Sequence, residues 1–184
     1  MRPVAHSGDE VHPGRDLGRL CFCKPVRECL PFMVHTGEVA TMLSDMIHEV
    51  EIAAKPQAIY RAITTREGEA GFWVPNNTMT PTVGHVAAFQ FKGAPVPLRM
   101  RVDALEKDKR IAWTCLGEFP GWKDTTVTWT LRPTADDKTK VEFRMGNLAG
   151  YPPEEVGSVN YTWGQVVDRL KAFVESGRPQ PFLE

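Results

Sequence analysis

Apolar positions recur along this chain at two spacings, and the switch between them lays out the fold. The longest helical pattern covers about residues 155–175. At about 100° per residue, Val156, Val159, Trp163, Val167, Leu170 and Val174 fall in one narrow stripe. Val166 and Phe173 widen the stripe, Asn160 borders it, and Tyr161, Gln165, Asp168 and Lys171 point away. This predicts a long amphipathic helix with a tryptophan in its apolar face. Pro152 and Pro153 precede it, and Gly177 followed by Pro179 ends it.

Upstream the period is two. His48, Val50 and Ile52 alternate with Glu49 and Glu51, predicting a half-buried first strand after Asp45. Pro56 then suits a first helical turn, with Ile59, Tyr60 and Ile63 at helical spacing. A second short helix is expected over residues 66–72. Five further strands are readable: residues 84–92, 97–106, 110–117, 125–132 and 140–147. In the clearest, Leu98, Met100, Val102 and Ala104 oppose Arg99, Arg101 and Asp103. A brief extra strand is expected near residues 78–82. The connections KDK and TADDKT are short turn-formers, so neighbouring strands are expected to be antiparallel. The order is strand, two short helices, a run of strands, one long helix. A sheet with one apolar face must bury it, and the last helix is the element large enough to cover that face. The predicted class is α+β, a curved antiparallel sheet wrapped around one long C-terminal helix. The gap between them would be lined by Trp, Phe and Met.

Residues 1–44 show no such period. Pro3, Pro13, Pro25 and Pro31 interrupt regular structure, and the segment reads either as an extension or as sequence upstream of the true start. The folded domain is expected over 45–184. With 184 residues, a formal net charge of −1 and 42% hydrophobic residues, the composition is that of an ordinary globular domain. It gives no electrostatic case for nucleic acid or an anionic membrane. No apolar run reaches the roughly 20 residues that span a bilayer, and the start lacks the order of a secretory signal, so a cytoplasmic location is expected. Cys21, Cys23 and Cys29 follow a C-x-C-x5-C spacing that matches no standard zinc pattern, with His35 the obvious fourth ligand. They read as reduced thiols, Cys115 reads as core, and no metal or cofactor is expected.

The segments GFWVP, VGHVAAFQF, LRMRVDALEKDKRIAWTC and TWGQVVDRLKAFVESG, taken with the element order, resemble the START-like helix-grip superfamily called SRPBCC. Within it the likeness is to the branch named for activators of the ninety-kilodalton heat-shock chaperone ATPase, and to its small bacterial members. The resemblance implies a helix-grip fold over about 45–184. It leaves function open, since the superfamily includes lipid carriers, hormone receptors and polyketide aromatase/cyclases.

No H-E-x-x-H, G-x-S-x-G or phosphate-cradling glycine loop is present. Asp136 and Asp137 belong to a hairpin turn, and Arg99 and Arg101 to a solvated face. The distinctive set is aromatic: Trp73, Phe89, Trp113, Trp129, Phe143 and Trp163 come from separate elements that can converge. Each is either core or the wall of a ligand cavity. Met100 and Val167 are candidate wall residues, and Asn160 and Tyr60 candidate polar contacts. The first reading is a binding protein for a small hydrophobic or aromatic molecule. The second is a cyclase- or dehydrase-type enzyme using the same cavity, with His48 or Tyr60 as acid/base. The third is a chaperone-interaction module.

Overall fold

The computed structural model describes residues 45–119 and 121–182. Strand β1 (Met46–Ile52) is followed by helices α1 (Pro56–Thr64) and α2 (Arg66–Phe72). Strands β2 (Val86–Phe89), β3 (Leu98–Glu106), β4 (Arg110–Cys115), β5 (Thr126–Pro133) and β6 (Thr139–Gly146) come next. A 3₁₀ turn (Pro153–Glu155) leads into helix α3 (Val156–Ser176). The six strands form one antiparallel sheet in the order β1-β6-β5-β4-β3-β2. This is the curved, α3-covered sheet of the helix-grip fold.

Alternation makes the sheet one-sided. The rows His48–Phe143–Trp129–Ile111 and Met46–Met145–Val127–Trp113–Val102 run across it on the inner face. The outer face carries exposed ion pairs, such as Lys140–Glu49 and Arg144–Asp45. Such pairs contribute at most about 1 kcal/mol each. In β3 the register slips between Val102 and Ala104, leaving Asp103 as a bulge. Asp136 and Asp137 sit at φ 64° and 57° in the β5–β6 turn, a backbone conformation that Asp tolerates.

Two expected strands differ. The stretch 84–92 shortens to Val86–Phe89 because Gly84 turns the chain at φ 83°. No strand forms at 78–82: Thr78 N–H reaches the Ala88 carbonyl, but Thr82 N–H bonds back to Thr80 O across Pro81 in a local turn.

Helix α3 presents Trp163, Val166, Val167 and Leu170 to the sheet. Its C-terminal half is tied to the end of β1. Lys171 Nζ donates to Glu51 O at 2.7 Å, and Ala53 N–H donates to Glu175 Oε1 at 2.7 Å. Gly177, left-handed at φ 68°, closes the helix by bonding to Phe173 O. The Phe173 ring lies over Gly71 of α2, where any Cβ would collide with it. Among the described residues no helix is long and apolar enough to cross a membrane.

Candidate functional site

The six aromatic residues form a closed circuit between the sheet and the helices. Trp73, which caps α2, lies 4.5 Å (ring centroid to ring centroid) from Phe89 of β2. Phe89 lies 6.3 Å from Trp113 of β4, and Trp113 lies 6.5 Å from Trp129 of β5. Trp129 stands edge-on to Phe143 of β6 at 4.8 Å. Phe143 meets Trp163 of α3 at 4.4 Å, and Trp163 returns to Trp73 at 5.1 Å. All six are at most 3% exposed. Tilted and edge-on pairs at these separations suit the aromatic quadrupole and add about 0.5–1.5 kcal/mol each beyond area burial.

A second circuit shares the Trp73–Trp163 contact. It runs from Trp73 to Phe91 (6.0 Å), Phe119 (5.7 Å), Trp122 (6.2 Å) and back to Trp163 (6.1 Å). Phe91, Phe119 and Trp122 are half-buried, so this circuit carries the aromatic surface from the interior to solvent. Tyr151 meets Trp122 edge-on at 6.3 Å, and burial raises the pKa of its hydroxyl.

Polar atoms inside the circuit are unevenly served. Trp163 Nε1 donates to Met145 Sδ at 3.2 Å. The Nε1 atoms of Trp113 and Trp129 are buried, with no partner among the described residues. Glu69 is also fully buried, and among the described residues neither carboxyl oxygen has a hydrogen-bond partner. It sits on α2 three residues before Phe72 and is buried like it. Burial disfavours the charged carboxylate and pushes its pKa well above the ordinary glutamate range. An unpaired buried donor or acceptor costs about 1–3 kcal/mol, so three such side chains in one core call for an explanation.

Met100, on β3, pairs with Ala87 and Cys115 and is fully buried. Val167 is buried on α3. His48 is half-buried at the seam between β1 and α3, its ring 6.0 Å from Phe143 and its buried Nε2 without a partner among the described residues. Gly164 makes room for it: a Cβ there would stand 3.3 Å from His48 Cε1. The outer side of the seam is an open groove of about 590 Å³ bordered by His48, Val50, Asn160, Gly164 and Val167. Asn160 is exposed in that groove and is not part of the interior. Tyr60 is half-buried on α1, outside both circuits, with its pKa raised by burial and then by Asp108. Among the described residues no hydrogen bond joins it to His48, and no cluster of three His, Cys, Asp or Glu side chains has the arrangement of a metal site. Cys21, Cys23, Cys29 and His35 lie outside the described residues.

Periodicity had no means of finding Phe119, Trp122 and Tyr151, which sit in loops. Glu69 did carry a signal, its helical spacing from Phe72 and Trp73, which a search restricted to apolar residues passes over.

The geometry agrees with comparisons to known proteins. The chain is similar to the Aha1 dimer from Colwellia psychrerythraea, at 26% identity and a TM-score of 0.65, over 73% of this chain and 98% of that one. Protein MLL2253 from Mesorhizobium loti shares the fold at 23% identity and a TM-score of 0.61, over 71% and 96% of the two chains. DynU16, from the dynemicin biosynthetic locus, shares it at 24% identity and a TM-score of 0.64, over 75% of this chain and 49% of that one. No curated protein sequence matches. The family model described as Activator of Hsp90 ATPase homolog 1-like protein matches residues 53–175, about two thirds of the chain. The chain therefore belongs to that family, a branch of the SRPBCC helix-grip superfamily.

Proposed function

We propose that the interior between the sheet and α3 binds a small planar aromatic molecule. The observation that carries this reading is the closed aromatic circuit, in which the Nε1 atoms of Trp113 and Trp129 have no partner among the described residues. A core selected for stability alone would leave fewer such atoms. The rings touch one another, so a ligand enters by parting α3 from the sheet, and the half-buried second circuit is the way in. A ligand of about 20 heavy atoms at roughly −0.3 kcal/mol per atom gains about −6 kcal/mol, a dissociation constant in the tens of micromolar.

Titration with a flavonoid, a polycyclic phenol and a fatty acid, read by tryptophan emission and melting temperature, tests it. The planar compounds are expected to bind in the tens of micromolar and the fatty acid more weakly. Val167→Trp puts an indole where a ligand would part α3 from the sheet and is expected to weaken binding. The reading is lost if nothing binds below about a millimolar, or if the filled variant binds equally well.

The family match favours a second reading, a chaperone-interaction module. It predicts chaperone binding that is indifferent to Val167→Trp. A cyclase or dehydrase would use the same interior and is distinguished by turnover of a bound polyketide-like ligand.

A further inference from the structure

We propose that the open half of β1 and the face of α3 beside it form a docking groove for an extended, basic peptide of a partner protein, which adds a strand to the sheet. The aromatic interior plays no part in it.

The sheet has two edge strands, β1 and β2. Beside β2, Thr78 N–H bonds to Ala88 O and Gln90 N–H to Asn76 O, which covers that edge. Beside β1 the cover is confined to the C-terminal end, where Lys171 Nζ donates to Glu51 O and Ala53 N–H donates to Glu175 Oε1. Those contacts also show which way the backbone points. The N–H and C=O of one residue share a side of a strand, and those of the next residue take the other side. Ile47 and Glu49 therefore turn their backbone groups to the same edge as Glu51. Among the described residues neither makes a backbone hydrogen bond outside the β1–β6 ladder. An unpaired stretch of this kind is a template for another strand.

This edge opens on the groove of about 590 Å³ lined by His48, Glu49, Gly157, Asn160, Gly164 and Asp168. Met46 to Val50 runs about 13 Å and Gly157 to Asp168 about 16 Å, so about five extended residues fit between strand and helix. The helix leaves room for them: a Cβ at Gly157 would meet nothing within 4 Å. Ile47 on the strand and Tyr161 on the helix are 49% and 68% exposed, apolar surface that an added strand would cover.

Charge selects the occupant. The groove is lined by two carboxylates, Glu49 and Asp168, and by no lysine or arginine among the described residues. Lys140 meets Glu49 on the outer face. No ion pair among the described residues includes Asp168. A lysine or arginine on the incoming strand supplies the missing charge. A second copy supplies the opposite, because β1 laid against β1 sets Glu49 and Glu51 against their counterparts.

Three labelled seven-residue peptides test this by fluorescence anisotropy on the full chain: alternating lysine and valine, the same with glutamate for lysine, and the lysine peptide N-methylated at every second residue. The lysine peptide is expected to bind about tenfold or more tightly than the glutamate peptide. N-methylation, which keeps the charge but removes strand donors, is expected to weaken it about tenfold. Asp168→Asn, at an exposed helix position, and Ile47→Pro, which removes one outward N–H, are each expected to weaken it several-fold, with circular dichroism checking the fold. No binding of the lysine peptide, equal binding of the methylated or glutamate peptide, or unchanged binding by Asp168→Asn overturns the proposal. A full chain that self-associates and loses the association in Ile47→Pro gives the edge to a second copy and overturns it too. The methylated peptide and Asp168→Asn decide the matter if Ile47→Pro does not fold.

Discussion

A protonated carboxyl inside a core has a thermodynamic signature, and Glu69 should show it. In the native state burial holds the proton on; in the unfolded chain Glu69 titrates near 4.5. Above that pH the unfolded state has released a proton that the native state keeps. The Glu69 contribution is therefore fully present below about 4.5 and is lost as pH rises toward the native pKa. With one proton at stake, the loss is about 1.4 kcal/mol per pH unit within that window, and it levels off above the native value. Glu69→Gln removes the titration and keeps the shape. Other groups titrate alike in both proteins, so the difference between them isolates position 69. Urea unfolding followed by tryptophan emission at pH 5, 6, 7 and 8 measures it. The variant is expected to gain on the wild type with rising pH by about 1.4 kcal/mol per unit, until the native pKa is passed. In melting temperature that is about 3–6 °C per unit for a chain of this size. A gap that stays constant from pH 5 to 8 would mean that the native carboxyl is ionised, and the account of a neutral Glu69 would fail.

Trp163→Ala should cost about 3–5 kcal/mol in a denaturant titration, since the indole is buried between Trp73 and Phe143; a loss below about 0.5 kcal/mol would contradict that packing. Gly68→Ala should destabilise by about 1–3 kcal/mol, because a Cβ there runs into the backbone of Ala62 and pries α1 from α2. Gly157→Ala, with nothing within 4 Å of the new methyl, should instead stabilise by up to about 1 kcal/mol; the same denaturant comparison checks both glycines, and like signs would refute the contrast. A chain beginning at Met42 is expected to melt within about 5 °C of the full chain, as scanning calorimetry would show.

The sheet was legible because it is one-sided. With helices on one face and water on the other, each strand writes its orientation as alternation, and Trp113, Trp129 and Phe143 could be assigned inward from sequence alone. Helix α3 was legible for the same reason at a different period. What alternation does not contain is register. That Phe143 stands opposite both His48 and Trp129 depends on how neighbouring strands slide, so the closing of the circuit appears only in three dimensions. Asn160 shows the limit at a stripe's border: about 20° of helix rotation separates a residue lining the interior from one in solvent. Glu69 shows another, because a carboxylate on a short helix is ordinarily solvated. The half-buried aromatics at 91, 119 and 122 lie outside regular elements, where no period marks which way a side chain faces.

The chain has five tryptophans, and all five belong to the joined circuits. Trp73, Trp163 and Trp122 follow one another at 5.1 and 6.1 Å, and Trp113 and Trp129 lie 6.5 Å apart. Phe89 and Phe143 bridge the two groups. At such separations an excited indole passes its energy to a neighbour well before it emits. The indoles are therefore expected to emit as a coupled set, with the half-buried Trp122 the ring nearest solvent. A quencher that reaches Trp122 is expected to dim more than that ring's own share. Removing a single tryptophan would reroute the flow, so the emission lost need not equal that residue's share.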